Sequence, residues 1–181
     1  MYYQSAGAWK LAHGLRFPMH AATKAKDVDR EMEQFARTAK SVDGLMSQIV
    51  KLLHDRMLKY NWVGFYMLET TPEDEPPMLV LGAFQGAMTP HTRIPLHQGI
   101  CGAAASTGKT VIVDDVSLDP RYLACSLETK SEIVVPVFVR GKVVGELDID
   151  SHFPAAFKDE DRELIEHCAA LVGKHLEKSR K

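Results

Sequence analysis

The chain has 181 residues, and its 22 basic and 24 acidic residues leave a formal net charge of -2 at pH 7. This length suits one domain with a full hydrophobic core, and so small a net charge argues against nucleic acid or an anionic membrane as the partner. No apolar run is long enough to span a bilayer and the first residues lack the pattern of a secretory signal, so we expect a cytoplasmic protein that binds a small molecule.

The N-terminal third is expected to be helical. Residues 1–26 have no clear period and are treated as an extension to a single domain of residues 27–181. From Asp27 to Tyr60 apolar residues recur mostly at spacings of three and four, which predicts an amphipathic helix with an interruption near Asp43-Gly44. The apolar stripe must cover the sheet of its own domain or the same helix of a second copy, so we expect a homodimer.

Strands and turns follow. Residues 62–68 are rich in aromatic and branched side chains and predict a strand, with residues 78–85 as its hairpin partner. Residues 86–95 are interpreted as a loop. Residues 98–105 indicate a glycine turn and a short helix that stops at Gly108.

The C-terminal half contains the clearest local pattern, a hairpin of residues 133–139 and 143–150. A short strand at 110–113 and a long irregular segment at 114–129 precede it, and a helix with an acidic start near residue 158 follows it. This order predicts an α+β fold. We expect one antiparallel sheet with the N- and C-terminal helices on one face and loops that form a pocket on the other.

Three cysteines without close spacing predict neither a disulfide framework nor a zinc knuckle. Cys125 lies in a loop, where reactive groups are often placed, and Cys101 falls near the first turn of the short helix, whose amides favour a thiolate. A buried, inert thiol is the alternative for both. Cys168 is on the apolar stripe of the last helix and is interpreted as core.

Carboxylates form a second group of candidates. Asp148 and Asp150 share one face of a strand because side chains alternate. If strand pairing brings Glu132 close, three carboxyls would line a site that holds an ammonium group or keeps one member protonated as a general acid. The alternative is an exposed polar face of the sheet.

Trp62 and Tyr66 are four residues apart on a strand and share a face. They are expected either to enclose a methyl or thioether group of a ligand or to form part of the hydrophobic core. The eight histidines show no ligand spacing, so we expect no metal and no cofactor.

Several short motifs point in one direction when they are taken together. They are residues 61–66, 81–86, 93–94, 99–102, 113–116, 124–125, 131–136 and 147–151. These motifs resemble the free methionine-(R)-sulfoxide reductases, which are single GAF domains. The resemblance covers about Asp27 to Leu176.

The resemblance implies that Cys125 attacks the sulfur of free L-methionine-(R)-sulfoxide and becomes a sulfenic acid. Glu132 would act as the acid or bind substrate together with Asp148 and Asp150, and the aromatic pair at 62 and 66 would hold the methyl end. A second thiol would form a disulfide that thioredoxin reduces.

One departure from the family lies in residues 87–92, where the usual resolving cysteine is missing. Cys101, an external thiol or loss of turnover are the three possibilities, and we favour Cys101 as the resolving thiol. His91 is a candidate to occupy the position of the missing cysteine. Other functions stay open: a GAF module that binds a ligand without catalysis, a redox sensor that joins Cys101 to Cys125, and a structural dimer module.

Overall fold

The computed structural model describes residues 19–69, 76–124 and 126–179, with side chains from residue 24 onward. Most of the N-terminal extension, residues 1–18, therefore lies outside the described residues, as does Cys125. Among the helices described, none has the length and apolar character that a membrane span requires.

The centre of the fold is a six-stranded sheet in which every neighbouring pair is antiparallel. The spatial order is β3-β2-β1-β6-β5-β4, so the two long central strands, β1 and β6, are distant in sequence. This confirms the expected α+β fold. The strands are β1 Trp62–Glu69, β2 Met78–Gln85, β3 Arg93–Pro95, β4 Val111–Val113, β5 Ser131–Val139 and β6 Lys142–Ser151.

Two helices, α2 Val42–Arg56 and α4 Asp159–Ser179, cover one face of the sheet, and α1 Met19–Thr38 packs on both of them. Their buried side chains pack on the apolar residues of the strands to form the main core, which includes Cys168 at 0 % exposure. The interpretation of that cysteine as core is confirmed.

The expected helix of residues 27–60 is two helices, and its break comes earlier than Asp43-Gly44. Ser41 has extended backbone angles and its hydroxyl accepts a hydrogen bond from the Gly44 N–H at 3.1 Å. A serine in this position satisfies an amide that has no partner within the helix. The first helix therefore ends at Thr38, and a second helix begins at Val42.

The opposite face carries α3, Gly99–Thr107, which packs on β5 and β6 and ends at Gly108 with a left-handed φ of 63°. A second, smaller core lies under it. Residues 93–95, expected in a loop, form β3 at the sheet edge against β2. The face opposite the long helices is thus closed by a helix as well as by loops.

Candidate functional site

The candidate site lies on β1 and β6, the central pair of strands, on the face that α3 covers. Side chains at period two share a face of a strand, so three residues of β1 lie beside three acidic residues of β6. The register pairs are Trp62 with Asp150, Gly64 with Asp148, and Tyr66 with Glu146.

Glu132 of β5 completes a group of four carboxyls, which we call the acidic cluster: Glu132, Glu146, Asp148 and Asp150. Strand pairing sets Glu132 directly opposite Asp150, as the sequence pattern predicted. The exposed fractions are 5 %, 0 %, 2 % and 4 % in the order given. The alternative of a solvent-exposed polar face is therefore wrong, because α3 packs on these strands.

Glu146 was missed by the sequence reasoning, although the signal was present. It continues the period-two row of Asp148 and Asp150 by one step, while Leu147 and Ile149 between them enter the main core at 0 % exposure. Neither of its carboxyl oxygens has a hydrogen-bond partner of normal geometry among the described residues, although the nearby Cys101 thiol opposes the rise of its pKa; Oδ1 of both aspartates also has no partner there. Polar atoms buried in this way usually have a partner.

Burial raises the pKa of all four carboxyls because a charged carboxylate is poorly solvated there. For Asp148 the pKa rises to about 7, although the Cys101 thiol and the Ile149 amide partly oppose the rise by hydrogen bonding. For Glu132, Glu146 and Asp150 the negative charge of Asp148 adds to the effect of burial. The acidic cluster therefore retains protons near neutral pH.

Cys101 lies in the first turn of α3, as expected, with its side chain 5 % exposed. Its thiol donates a weak hydrogen bond to Oδ2 of Asp148 at 3.5 Å. Burial, followed by the charges of Asp148, Glu146 and Glu132, raises the pKa of this thiol well above its usual value. The expectation that helix amides favour the thiolate is wrong here, because burial and three nearby carboxyls outweigh them.

Trp62 and Tyr66 share a face as predicted, with ring centroids 6.1 Å apart, and Trp62 also stacks on Phe84 at 5.9 Å. Both rings are fixed at their polar ends. The indole N–H of Trp62 donates to the Ala87 carbonyl at 3.0 Å, and the Tyr66 hydroxyl donates to the His91 carbonyl at 2.8 Å. Main-chain carbonyls of the loop before β3 therefore hold both rings against the sheet.

Gly64 lies between the two rings and leaves room for the indole. A Cβ at this position would come within 2.2 Å of the Trp62 ring. The absence of a side chain at Gly64 thus allows the indole to lie flat over β1, beside the strand position of Asp148.

Cys125 lies outside the described residues, but its neighbours on both sides are described. His91 Nε2 is 3.3 Å from the Ala124 carbonyl, and because a carbonyl only accepts, this nitrogen carries the proton. The Tyr122 hydroxyl donates to the Ser126 carbonyl at 3.1 Å. The loop that lacks the usual cysteine thus contacts the residue that precedes Cys125.

The site therefore combines aromatic rings, four buried carboxyls and a thiol. Buried carboxyls without basic partners favour a cationic group or remain protonated and donate a hydrogen bond. Aromatic rings held in place favour a flat or polarisable apolar group such as a thioether. This pair of preferences matches an amino acid with a short sulfur-containing side chain.

A family model described as the GAF domain matches residues 41–176. The fold and the site thus define a GAF domain. A free methionine-R-sulfoxide reductase of Escherichia coli is 33 % identical over 150 residues, which are 83 % of this chain and 87 % of that protein.

Two solved structures extend the likeness. The free methionine-R-sulfoxide reductase of Neisseria meningitidis, in complex with its substrate, has a TM-score of 0.81 at 36 % identity and covers 93 % of this chain and 98 % of its own. The fRMsr of Staphylococcus aureus, also in complex with substrate, has a TM-score of 0.75 at 34 % identity and covers 84 % and 95 %. The chain belongs to the free methionine-R-sulfoxide reductase family of GAF proteins.

Proposed function

We propose that this protein reduces free L-methionine-(R)-sulfoxide to L-methionine, with Cys125 as the nucleophile. The observation that carries the proposal is the acidic cluster buried beside Trp62 and Tyr66 in a chain of this reductase family. A free amino acid has an ammonium group, which a methionine inside a polypeptide lacks. Buried carboxyls stabilise that group and so favour the free amino acid.

In the reaction, the thiolate of Cys125 attacks the sulfoxide sulfur and the oxygen is transferred to the cysteine sulfur. The products are methionine and a cysteine sulfenic acid. The sulfoxide oxygen must gain a proton, and Glu132 is our choice for the acid because burial and the neighbouring aspartates raise its pKa. Asp148 and Asp150 are assigned to the substrate ammonium, and the aromatic pair to the S-methyl end.

Recycling needs a second thiol, and we propose Cys101. Its thiol attacks the sulfenic sulfur, so a disulfide forms and water leaves with the sulfenic oxygen. The dithiol of thioredoxin then reduces that disulfide. Because burial and the acidic cluster raise the Cys101 pKa, the thiol proton must pass to a base as the bond forms, and the adjacent Asp148 carboxylate at 3.5 Å is suited to accept it.

We also propose that the protein is cytoplasmic and forms a homodimer. Reduction by thioredoxin and free thiols at positions 101 and 168 suit a reducing compartment. Phe35 on α1 and Leu171 and Leu176 on α4 are only partly buried, which leaves apolar surface for a second copy. Analytical ultracentrifugation checks this, and a monomer at micromolar concentration would contradict it.

A single-turnover experiment tests the reaction without depending on recycling. Fully reduced protein is mixed with free L-methionine-(R)-sulfoxide or with the S epimer, and methionine formed per protein is counted. We expect about one methionine from the R epimer only. Cys125→Ser should abolish it, whereas Cys168→Ala, which removes a thiol from the opposite core, should leave it unchanged.

A mass measurement of the same samples tests the recycling step. Cys101→Ser should still form methionine once but accumulate the sulfenic acid instead of an internal disulfide. An internal disulfide in that variant would rule out Cys101 as the resolving thiol. No methionine from either epimer with the unaltered protein would favour instead a GAF module that binds a ligand or senses redox state without this catalysis.

A further inference from the structure

The acidic cluster and Cys101 also form a set of metal ligands. Sγ of Cys101 and one carboxylate oxygen each of Glu132 and Asp148 lie within 4.8 Å of one another. The sulfur and Oδ2 of Asp148 are 3.5 Å apart, and all three side chains are at most 5 % exposed. Among the residues described, this is the group of three that could hold an ion. The expectation of no metal considered histidine spacing and overlooked such a thiol and carboxylate set.

The distances suit a small tetrahedral ion. With a Zn–S bond of about 2.3 Å and a Zn–O bond of about 2.0 Å, a tetrahedral angle separates sulfur from oxygen by about 3.5 Å. The observed separation of Cys101 Sγ and Asp148 Oδ2 has this value. Glu132 offers a carboxylate oxygen within 4.8 Å of both atoms. Three protein ligands and one open position are the arrangement of zinc sites that admit a further small molecule.

Unpartnered buried oxygens around these ligands also favour a cation. Both carboxyl oxygens of Glu146 and Oδ1 of Asp148 and of Asp150 are buried without a hydrogen-bond partner among the described residues. None of the ion pairs in the described part of the chain involves a member of the acidic cluster. The charge of Glu132 contributes to the raised pKa of Arg121, but the Arg121 guanidinium forms its ion pair with the Asp119 carboxylate, at an N–O distance of 2.6 Å. A divalent ion would replace the protons that the carboxyls retain and would compensate the negative charges for which no basic side chain is paired.

We propose that Cys101, Glu132 and Asp148 bind Zn²⁺, with Glu146 and Asp150 supplying further negative charge around the ion. A thiolate ligand favours zinc over magnesium or calcium, which prefer oxygen ligands alone. On binding, the thiol proton of Cys101 and the protons that Glu132 and Asp148 retain leave to solvent as the bonds to zinc form. This proposal of metal binding does not depend on the proposed reductase function.

A second consequence rests on the proposed function. Asp148 is assigned there to the substrate ammonium and Cys101 to recycling, so the ion and the free sulfoxide occupy the same place. Zinc therefore competes with substrate and blocks the resolving thiol. The reductase is then active only while zinc in its compartment is scarce.

Metal binding is tested with cobalt, because a thiolate bound to Co²⁺ gives a charge-transfer absorption in the near ultraviolet. Reduced protein is freed of metal and reductant and titrated with Co²⁺ without oxygen, and Zn²⁺ is then added to displace it. We expect one ion per chain. Cys101→Ser should remove the charge-transfer band and weaken Zn²⁺ binding by more than about 100-fold, since even an indirect ligand contact contributes 10- to 100-fold.

Matched variants separate ligand loss from unfolding. Cys125→Ser and Cys168→Ala remove the other two thiols and should keep the band. Asp148→Asn should weaken Zn²⁺ binding while circular dichroism shows a folded protein. A band that persists in Cys101→Ser, a band that disappears in Cys125→Ser, or binding too weak for one ion per chain would each overturn the site.

Competition is measured on the unaltered protein by adding free L-methionine-(R)-sulfoxide to the Co²⁺ complex. Displacement of the ion supports competition, and simultaneous binding overturns it. The reductase proposal is tested apart from this, in single turnover with a chelator present. If the protein binds the metal but forms no methionine, the reductase proposal is wrong. If it forms methionine but does not bind the metal, the zinc proposal is wrong.

Discussion

The acidic cluster destabilises the folded protein at neutral pH, and Asp148→Asn tests this. The pKa of Asp148 rises from 3.8 to about 7, so its ionisation in the folded protein costs up to about 4 kcal/mol relative to the unfolded chain. Asparagine has the same shape and can accept the hydrogen bond from the Cys101 thiol, but it cannot ionise. The substitution therefore removes the cost of ionisation with little change in packing.

The sign follows from the protons that each state binds. Between pH 3.8 and about 7 the folded protein retains the Asp148 proton and the unfolded chain has lost it. The free energy of unfolding of the unaltered protein therefore falls as pH rises through this window and then levels off. We expect Asp148→Asn to be more stable by up to about 4 kcal/mol near pH 8, and to gain almost nothing near pH 4.

Urea unfolding followed by circular dichroism, across this pH range and with a chelator present, gives the free energies. Glu163→Gln is the control, because Glu163 is exposed on α4 and surface substitutions usually change stability by less than about 0.5 kcal/mol. If Asp148→Asn were less stable than the unaltered protein near pH 8, the carboxylate would be stabilised by contacts, and the reasoning on burial would be refuted.

Three further substitutions follow from the structure. Gly64→Ala should displace the Trp62 indole and lower kcat/KM for the sulfoxide by about 10- to 100-fold, measured by methionine formation, because the new Cβ would come within 2.2 Å of the ring. Asp161→Ala should lower the free energy of unfolding by about 3 kcal/mol, measured in urea, since this buried carboxylate accepts a hydrogen bond from the Tyr60 hydroxyl at 2.7 Å. Ser41→Ala removes the cap of α2 and should cost about 1 kcal/mol in the same assay.

Each of these substitutions has a matched control. Gly82→Ala adds a Cβ at an exposed strand position with ordinary contacts and should keep full activity. Asp159→Ala alters an exposed aspartate of the first turn of α4 and should cost less than Asp161→Ala. Ser47→Ala lies within α2 and should not destabilise it. Equal effects in a variant and its control would contradict the contact invoked.

Local patterns in the sequence predicted much of the fold. The β5–β6 hairpin and the aromatic strand β1 were evident because their side chains alternate or cluster over a few residues. β3 was missed because it has only three residues and is held by pairing with β2, which its own sequence does not reveal. The break between α1 and α2 was misplaced because the apolar spacing continues across Ser41, whose role as a cap depends on backbone angles.

The candidate site was predicted in part. Pairing along β6 brought Glu132 to Asp150, as the hairpin pattern indicated. The burial of the acidic cluster could not be predicted, since period two fits an exposed face as well as a covered one, and α3 decides between them through contacts distant in sequence. The high pKa of the Cys101 thiol has the same origin, because its carboxyl neighbours come from other elements of the chain. The assigned roles of Cys125, Trp62 and Tyr66 stay predictions.

The alternation of acidic and apolar residues along β6 also bears on how reliably the chain folds. This strand is hydrogen-bonded to a neighbour on each side, and Leu147 and Ile149 enter the main core while the three acidic residues that alternate with them face the site. A slip of one residue against either neighbour would turn Glu146 and both aspartates into the core and the apolar pair toward the site. Such a mispaired sheet would be far less stable. The three acidic residues of the candidate site on β6 therefore also fix the register of this central strand.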